Sequence, residues 1–359
     1  MDPVTSPLAG KTGPDPRIGQ LTTWLATLPA SLGLKPQTLR PASSDASFRR
    51  YFRLDAGETT LVVMDAPPDK ENCRPFLHVA GLLRDGGLNV PDIVAQDLTQ
   101  GFLLLSDLGY TTYLGHLQGG SNAATIHRLY VDALAALVKI QQSATTGLDH
   151  YDTQRFNTEL EVFPEWYVTR HCGYELDDKT RNDLRGVFDT LVAANVAQPT
   201  VLVHRDFHSP NLMLTDAQAG GPDYGPNPGV IDFQDALIGP ITYDLASLLT
   251  DARTTWEEPQ QLDWGIRYWE LARAAGLPVP ADFAEFHLAY EWMSLQRNLR
   301  ILGVFARLAH RDGKEHYLAH MPRVNMYVRQ VAERYLPFRP LVRLLDKLDK
   351  RQVTTGYTF

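Results

Sequence analysis

The segment VLVHRDFHSPNLML (201–214) sets His204 and Asp206 one residue apart, with Asn211 five residues beyond the aspartate. Downstream, GVIDFQDALIGP (229–240) carries Asp232 at the end of a short apolar run. Two carboxylates and one amide in this order suit phosphoryl transfer from ATP. One carboxylate accepts the hydroxyl proton or orients the nucleophile. The other holds magnesium, and a neutral oxygen completes the metal site without excess negative charge. Asp206, Asp232 and Asn211 supply that set. Magnesium keeps several waters, so one Asp, one Asn and the phosphates of ATP suffice. A lone Asp at a strand end more often caps a turn; the spacing of the whole set carries the reading. His204 is expected to hold the loop through its ring rather than to react.

These residues need elements to position them. Apolar periodicity predicts a helix over 18–28, and strand-favouring residues predict strands over 48–54 and 59–65 joined by a turn at 55–58. A polar Ser-Ser-Asp-Ala-Ser stretch (43–47) leads into the first strand. A helix over 74–85 and strands over 92–97 and 101–106 follow. Beyond 109 the pattern is helical: 123–143, 155–170, 178–196, 264–275, 281–310 and 324–336. Residues 219–229, rich in Gly and Pro, read as a loop, and 337–359 as a packed tail or short helix. Strands first and helices after predict an α+β fold with two lobes, hinged near 106–109. The expected division is a mobile tail over 1–16, a nucleotide-binding lobe over 17–107, and a helical catalytic and acceptor-binding lobe over 108–359.

Composition narrows the function. The 359 residues carry 34 basic and 42 acidic side chains, a net charge of −8, which argues against a general nucleic-acid coat. Cys73 and Cys172 are too few for a disulfide framework and lack structural-zinc spacing. The N-terminal stretch has no apolar core of a signal peptide, and no apolar run reaches membrane-helix length. A cytoplasmic globular protein is expected, with neither nucleic acid nor membrane as partner; that it is a monomer acting on a small molecule is an expectation that composition alone does not supply.

The segment 201–214 resembles the catalytic motif of the aminoglycoside phosphotransferase and choline kinase superfamily, which has a two-lobed protein-kinase-like fold. The stretches SSDASFRRYFRL, GFLLLSDLG, IDFQDALIGPITYDLASLLTDAR and SLQRNLRILGVFARLAHRDGK more closely resemble bacterial anomeric sugar kinases acting on N-acetylmuramate and N-acetylglucosamine. The resemblance implies a small β-rich N-lobe, a larger helical C-lobe, and ATP and Mg2+ as cofactors. It implies Asp206 as catalytic base, Asn211 and Asp232 as magnesium ligands, and Asp244 as a buttress of the catalytic loop. It also implies phosphate contacts from Ser44, Asp45, Ala46 and Ser47, and adenine contacts from the backbone of Ser106 and Leu108. The stretch 61–65 lacks the lysine that protein kinases carry on this strand. Arg49, Arg50, Arg53 and Lys70 are the cations that could replace it, with Arg49 and Arg53 on one face of the strand.

Acceptor recognition is expected in the helical lobe. Glu165 and Trp166 offer a carboxylate and an aromatic face for a pyranose. Asp235 either faces the sugar or caps a turn. Arg297 and Arg300, three residues apart on one helix side, either pair with the lactyl carboxylate of N-acetylmuramate or form internal salt bridges. Other acceptors stay open: choline, homoserine, or an aminoglycoside met by Glu159, Glu161 and Glu165. The missing lysine also leaves open a nucleotide-binding module without turnover.

Overall fold

The computed structural model describes residues 15–44, 48–215 and 224–349. The chain forms two compact units. One holds the described residues up to Leu77 together with Pro91–Asp107; the other holds His78–Val90 and the described residues from Leu108 onward.

The first unit opens with α1 (Pro16–Thr27), which meets the helix expected over 18–28 and begins two residues earlier. Pro16 sits at its first position, and the Asp15 side chain accepts from the Arg17 amide at 2.9 Å, a favoured helix start. Then come β1 (Leu34–Ser44), β2 (Arg50–Ala56), β3 (Thr59–Asp65), α2 (Cys73–Asp85), β4 (Ile93–Asp97) and β5 (Phe102–Ser106). The strands form one antiparallel sheet in the order β1-β2-β3-β5-β4. Leu21, Trp24 and Leu25 of α1 pack against Leu54, Val63, Phe102 and Leu104 of the sheet. The sequence pattern does not predict β1, because Pro36 and Pro41 interrupt it. The strand tolerates them at the sheet edge, with register shifts at Lys35/Arg40 and Pro41/Ser43. Ser43 and Ser44 therefore end a strand, while Asp45, Ala46 and Ser47 lie outside the described residues.

The boundary between the units falls within α2. His78–Val90 joins the second unit: the Val230 amide donates to the Asn89 carbonyl at 2.7 Å and His78 Nε2 lies 2.7 Å from the Thr146 carbonyl. That unit continues with α3 (Tyr113–Gln118), α4 (Ala123–Gln142), α5 (Thr153–Leu160), a π-helix (Phe163–His171) and α6 (Asp178–Val196). Four short strands follow: β6 (Thr200–Val203), β7 (Leu212–Met213), β8 (Gly229–Val230) and β9 (Leu237–Pro240). Then come α7 (Tyr243–Leu249), α8 (Glu258–Ala274), α9 (Phe283–His310), α10 (Met321–Ala332) and α11 (Arg339–Leu348). No helix among the described residues is long and apolar enough to cross a membrane.

The single helix expected over 155–170 is two pieces. Pro164 cannot donate a backbone hydrogen bond, so the α ladder stops and the chain resumes in π geometry. Against this segment packs α9, the longest helix of the described residues at 28 residues. The approach is close at Gly303. A Cβ there would lie 2.4 Å from the Val162 carbonyl group and 2.7 Å from the Phe163 nitrogen. These neighbours are backbone and cannot swing aside. Gly303→Ala is therefore expected to destabilise the chain by about 1–3 kcal/mol. The midpoint of urea unfolding should fall at constant m-value; an unchanged midpoint would show that the two segments separate freely.

Candidate active site

Two small ladders shape the catalytic loop. Apolar β6 pairs with β9, from Thr200↔Pro240 to Val203↔Leu237, and delivers the chain to His204. The β7/β8 ladder pairs Leu212 with Val230, and the Ile231 amide extends it by donating to the Asn211 carbonyl at 3.1 Å. This brings Asn211, just before β7, beside Asp232, just after β8.

Between the ladders the backbone is forced. Arg205 has φ 77° and Asp232 has φ 65°, both left-handed and both carrying side chains. Such strain persists only where surroundings hold it. At Arg205 the holder is Asp244 at the start of α7. Its two oxygens accept the amides of His204 at 2.6 Å and Arg205 at 2.9 Å. Asp244 is fully buried; burial pushes its carboxyl up to about 7, although the two amides pull the other way. His204 is also fully buried, which pushes its imidazole down to about 4 and keeps it neutral. Its Nε2–H donates to the Ile231 carbonyl at 3.1 Å, and its Nδ1 accepts the Asp206 amide at 3.3 Å. The ring thus spans both halves of the site.

Asp206 projects from this turn. Burial alone would raise its pKa, but the charges of His208, Arg300, Arg297 and Arg205 outweigh burial and lower it. The carboxylate is ionised at neutral pH and able to take a proton from a hydroxyl. Asn211 Nδ2 lies 2.9 Å from the Asp206 carbonyl, 3.2 Å from Asp232 Oδ2 and 3.2 Å from His208 Nε2. With the amide nitrogen so engaged, Oδ1 is the neutral oxygen left for a cation. Asp232 adds a carboxylate, with Gln234 donating to its Oδ1 at 2.9 Å. This hard-oxygen pair fits magnesium, whose remaining ligands come from water and phosphate.

The sequence pattern gave no reason to single out the layer behind Asn211. His208 Nε2 faces the Asn211 amide, and its Nδ1 lies 3.3 Å from Arg253 Nη1 and 3.8 Å from Asp251 Oδ1. Asp251 is fully buried and accepts from the Ser209 amide at 3.1 Å, the Ser209 hydroxyl and the Arg253 amide at 2.9 Å. Burial would raise its carboxyl, but hydrogen bonds and charge from His208 and Arg253 hold it well below the usual range.

The expected acceptor residues divide. Arg297 and Arg300 lie near enough to Asp206 to lower its pKa. Arg300 is committed: its Nε is 3.0 Å from Glu159, which also receives Arg205 at 2.8 Å and the Tyr151 hydroxyl. Glu159 is thus occupied by cations of its own chain and does not offer a free carboxylate to an ammonium. Glu165 is 56% exposed, 3.6 Å from Arg170, whose guanidinium lies 4.4 Å from the Trp166 ring. Asp235 is exposed.

In the first unit, β3 ends on buried Asp65, which accepts Arg17 Nε at 3.1 Å and Arg50 Nε at 3.0 Å. Arg53 pairs with Asp107 at 2.8 Å, joined by Thr60 at 2.6 Å. Arg50 and Arg53 are therefore engaged with carboxylates of the same unit. Lys70 is exposed, 3.7 Å from Asp69, and Arg49 is half-buried just ahead of β2. The Ser106 amide donates to the Asp92 carbonyl at 2.9 Å, and its hydroxyl accepts the Asp92 amide at 2.8 Å. Leu108 is buried.

A five-stranded unit, a helical unit, and a loop bearing Asp206, Asn211 and Asp232 define a kinase-like phosphotransferase fold. Solved structures agree. A choline/ethanolamine kinase family protein from Mesorhizobium loti superposes with TM-score 0.59 at 14% identity, covering 92% of this chain and 99% of that one. An ADP-bound aminoglycoside phosphotransferase gives 0.56 at 14% identity, covering 88% and 99%. The profile of the phosphotransferase enzyme family matches residues 38–283, and the chain belongs to that family. Two proteins named N-acetylmuramate/N-acetylglucosamine kinase are similar over nearly their whole length. The one from Pseudomonas aeruginosa is 46% identical over 93% of this chain and 97% of its own. The one from Neisseria meningitidis is 44% identical over 95% and 98%.

The layer behind Asn211 has a measurable consequence. His208→Leu removes the acceptor that turns the Asn211 amide, and should weaken divalent-cation binding by about 10- to 100-fold. Mn2+ binding to the protein–ADP complex, followed by EPR, reads this without turnover. Unchanged Mn2+ affinity would show that Asn211 is oriented by Asp206 and Asp232 alone.

Proposed function

We propose that this phosphotransferase uses ATP to phosphorylate the anomeric (C1) hydroxyl of N-acetylmuramate and N-acetylglucosamine, in the recycling of peptidoglycan sugars. The observation that carries the reading is near-full-length similarity to kinases of that name, in a chain whose Asp206, Asn211 and Asp232 stand together. We further propose that it works as a cytoplasmic monomer.

In this reading Asp206 holds the C1 hydroxyl in line with the γ-phosphorus. A bond forms from the C1 oxygen to phosphorus as the bond to the β–γ bridging oxygen breaks, and the hydroxyl proton passes to Asp206. A hemiacetal hydroxyl is more acidic than an ordinary alcohol, so a carboxylate of lowered pKa is a sufficient base. Asn211 Oδ1 and Asp232 would hold Mg2+, which when bound offsets charge on the phosphates. Neutral His204 and Asp244 keep the loop in register. Phosphate contacts are assigned to Ser44, Asp45, Ala46, Ser47 and Arg49, and adenine contacts to the backbone at Ser106 and Leu108. For Ser106 this leaves its carbonyl, since its amide already serves Asp92. Trp166, Glu165 and Asp235 are assigned to sugar hydroxyls and ring surface. The engagement of Glu159 by Arg205, Arg300 and Tyr151 weighs against an aminoglycoside acceptor.

Incubation with ATP, Mg2+ and separate acceptors, followed by phosphorus NMR, should show phosphate coupled to C1 of either N-acetyl sugar. Transfer to kanamycin or choline alone would refute the assignment. No transfer to any acceptor, with nucleotide bound, would favour a binding module whose β3 carries Asp65 instead of a lysine. Asp206→Asn should lower kcat by about 10²- to 10⁴-fold with nucleotide affinity retained.

A further inference from the structure

Helix α9 carries a buried guanidinium that makes no ion pair or hydrogen bond among the described residues. Arg297 is only 4% exposed, and neither its Nε nor its Nη1 has a hydrogen-bond partner among the described residues. A buried guanidinium without a counter-ion is costly, several kcal/mol by general experience. Such groups are normally paired, and one left open beside a catalytic carboxylate calls for an anion from outside.

The nearby carboxylates are already committed. Glu159 gives one oxygen to Arg205 and the other to Arg300 and Tyr151. Asp244 spends both oxygens on the amides of His204 and Arg205. Asp206 is reserved for the acceptor hydroxyl. Arg297 is close enough to act electrostatically on Asp206 and Asp244, so it belongs to the acceptor side of this unit. Tyr243 adds a second open donor. Its hydroxyl is buried, has no partner among the described residues, and feels the charge of Arg297.

The guanidinium fork matches a planar, two-oxygen anion. Of the two sugars, N-acetylglucosamine is neutral, whereas N-acetylmuramate carries a lactyl carboxylate on its ring. We propose that Arg297 is the carboxylate receptor of the acceptor site and sets the preference for the lactyl-bearing sugar over the neutral one. Arg300, held by Glu159, keeps the surrounding charges in place and does not contact the carboxylate. The assignment rests on the sugar-kinase reading above.

The test is a cycle with a change on each partner. kcat/KM is measured for N-acetylmuramate, its neutral methyl ester and N-acetylglucosamine, with the unmodified protein and with Arg297→Gln. Esterification should lower kcat/KM of the unmodified protein by about 10- to 100-fold. Arg297→Gln should lower the acid by a similar factor and bring the acid-to-ester ratio close to one. An equal loss on all three acceptors would overturn the proposal, since it would place Arg297 on the transferred phosphoryl group or in the scaffold. Indifference of the unmodified protein to esterification would overturn it as well, and that arm does not depend on the variant folding. If the unmodified protein phosphorylates neither sugar, the sugar-kinase reading fails first.

Discussion

One buried carboxylate fixes the geometry on which the site depends. Asp244 takes the amides of two consecutive residues, His204 and Arg205, at the point where the chain turns through a left-handed conformation. A side chain in that conformation is disfavoured, and the two hydrogen bonds to Asp244 oppose its relaxation. The turn decides where Asp206 points. It also places the His204 ring under the Ile231 carbonyl, which ties the first strand pair to the second. Asp206 and the Asn211–Asp232 pair are therefore positioned by a single connected set of hydrogen bonds rather than by separate loops.

The electrostatics follow a similar economy. The helical unit sets buried Asp244 and Asp251 and half-buried Asp206 and Glu159 around the loop; Arg205 and Arg300 pair with Glu159, and Arg253 stands beside Asp251. Burial works against the charge of Asp206, Asp244 and Asp251, and the outcome differs with the partner. Asp251, hydrogen-bonded to Ser209 and facing His208, stays firmly ionised, whereas Asp244, met only by amides, is pushed toward neutrality. In spite of its burial, Asp206 is held below the usual carboxylate range by His208, Arg300, Arg297 and Arg205, and so stays charged at neutral pH.

Much of this was legible in the sequence where local rules apply. Apolar periodicity placed α4, α6 and α9, and strand-favouring residues on either side of a turn placed β2 and β3, because these signals are local to each segment. The spacing of Asp206, Asn211 and Asp232 marked residues that the structure does bring together. The rest depended on distant partners. β1 was hidden by two prolines that only an edge position tolerates. The break between α5 and the π-helix comes from Pro164 within an otherwise helical pattern. Glu159 looked like a free acidic residue until Arg205 and Arg300, far away in sequence, were seen to close on it. His208 and Asp251 gave no signal, since a histidine in a loop and an aspartate after a helix are common.

The contact at Gly303 bears on how such a site can change over evolutionary time. With backbone against backbone, α9 and the π-helix have no compressible layer of side chains between them. Ordinary drift in helix spacing, which lets many proteins reshape a pocket by small increments, is closed off along this seam. New acceptor preferences in this lineage would have to arise by exchanging side chains on a fixed frame, so adaptation should proceed in discrete jumps at a few positions.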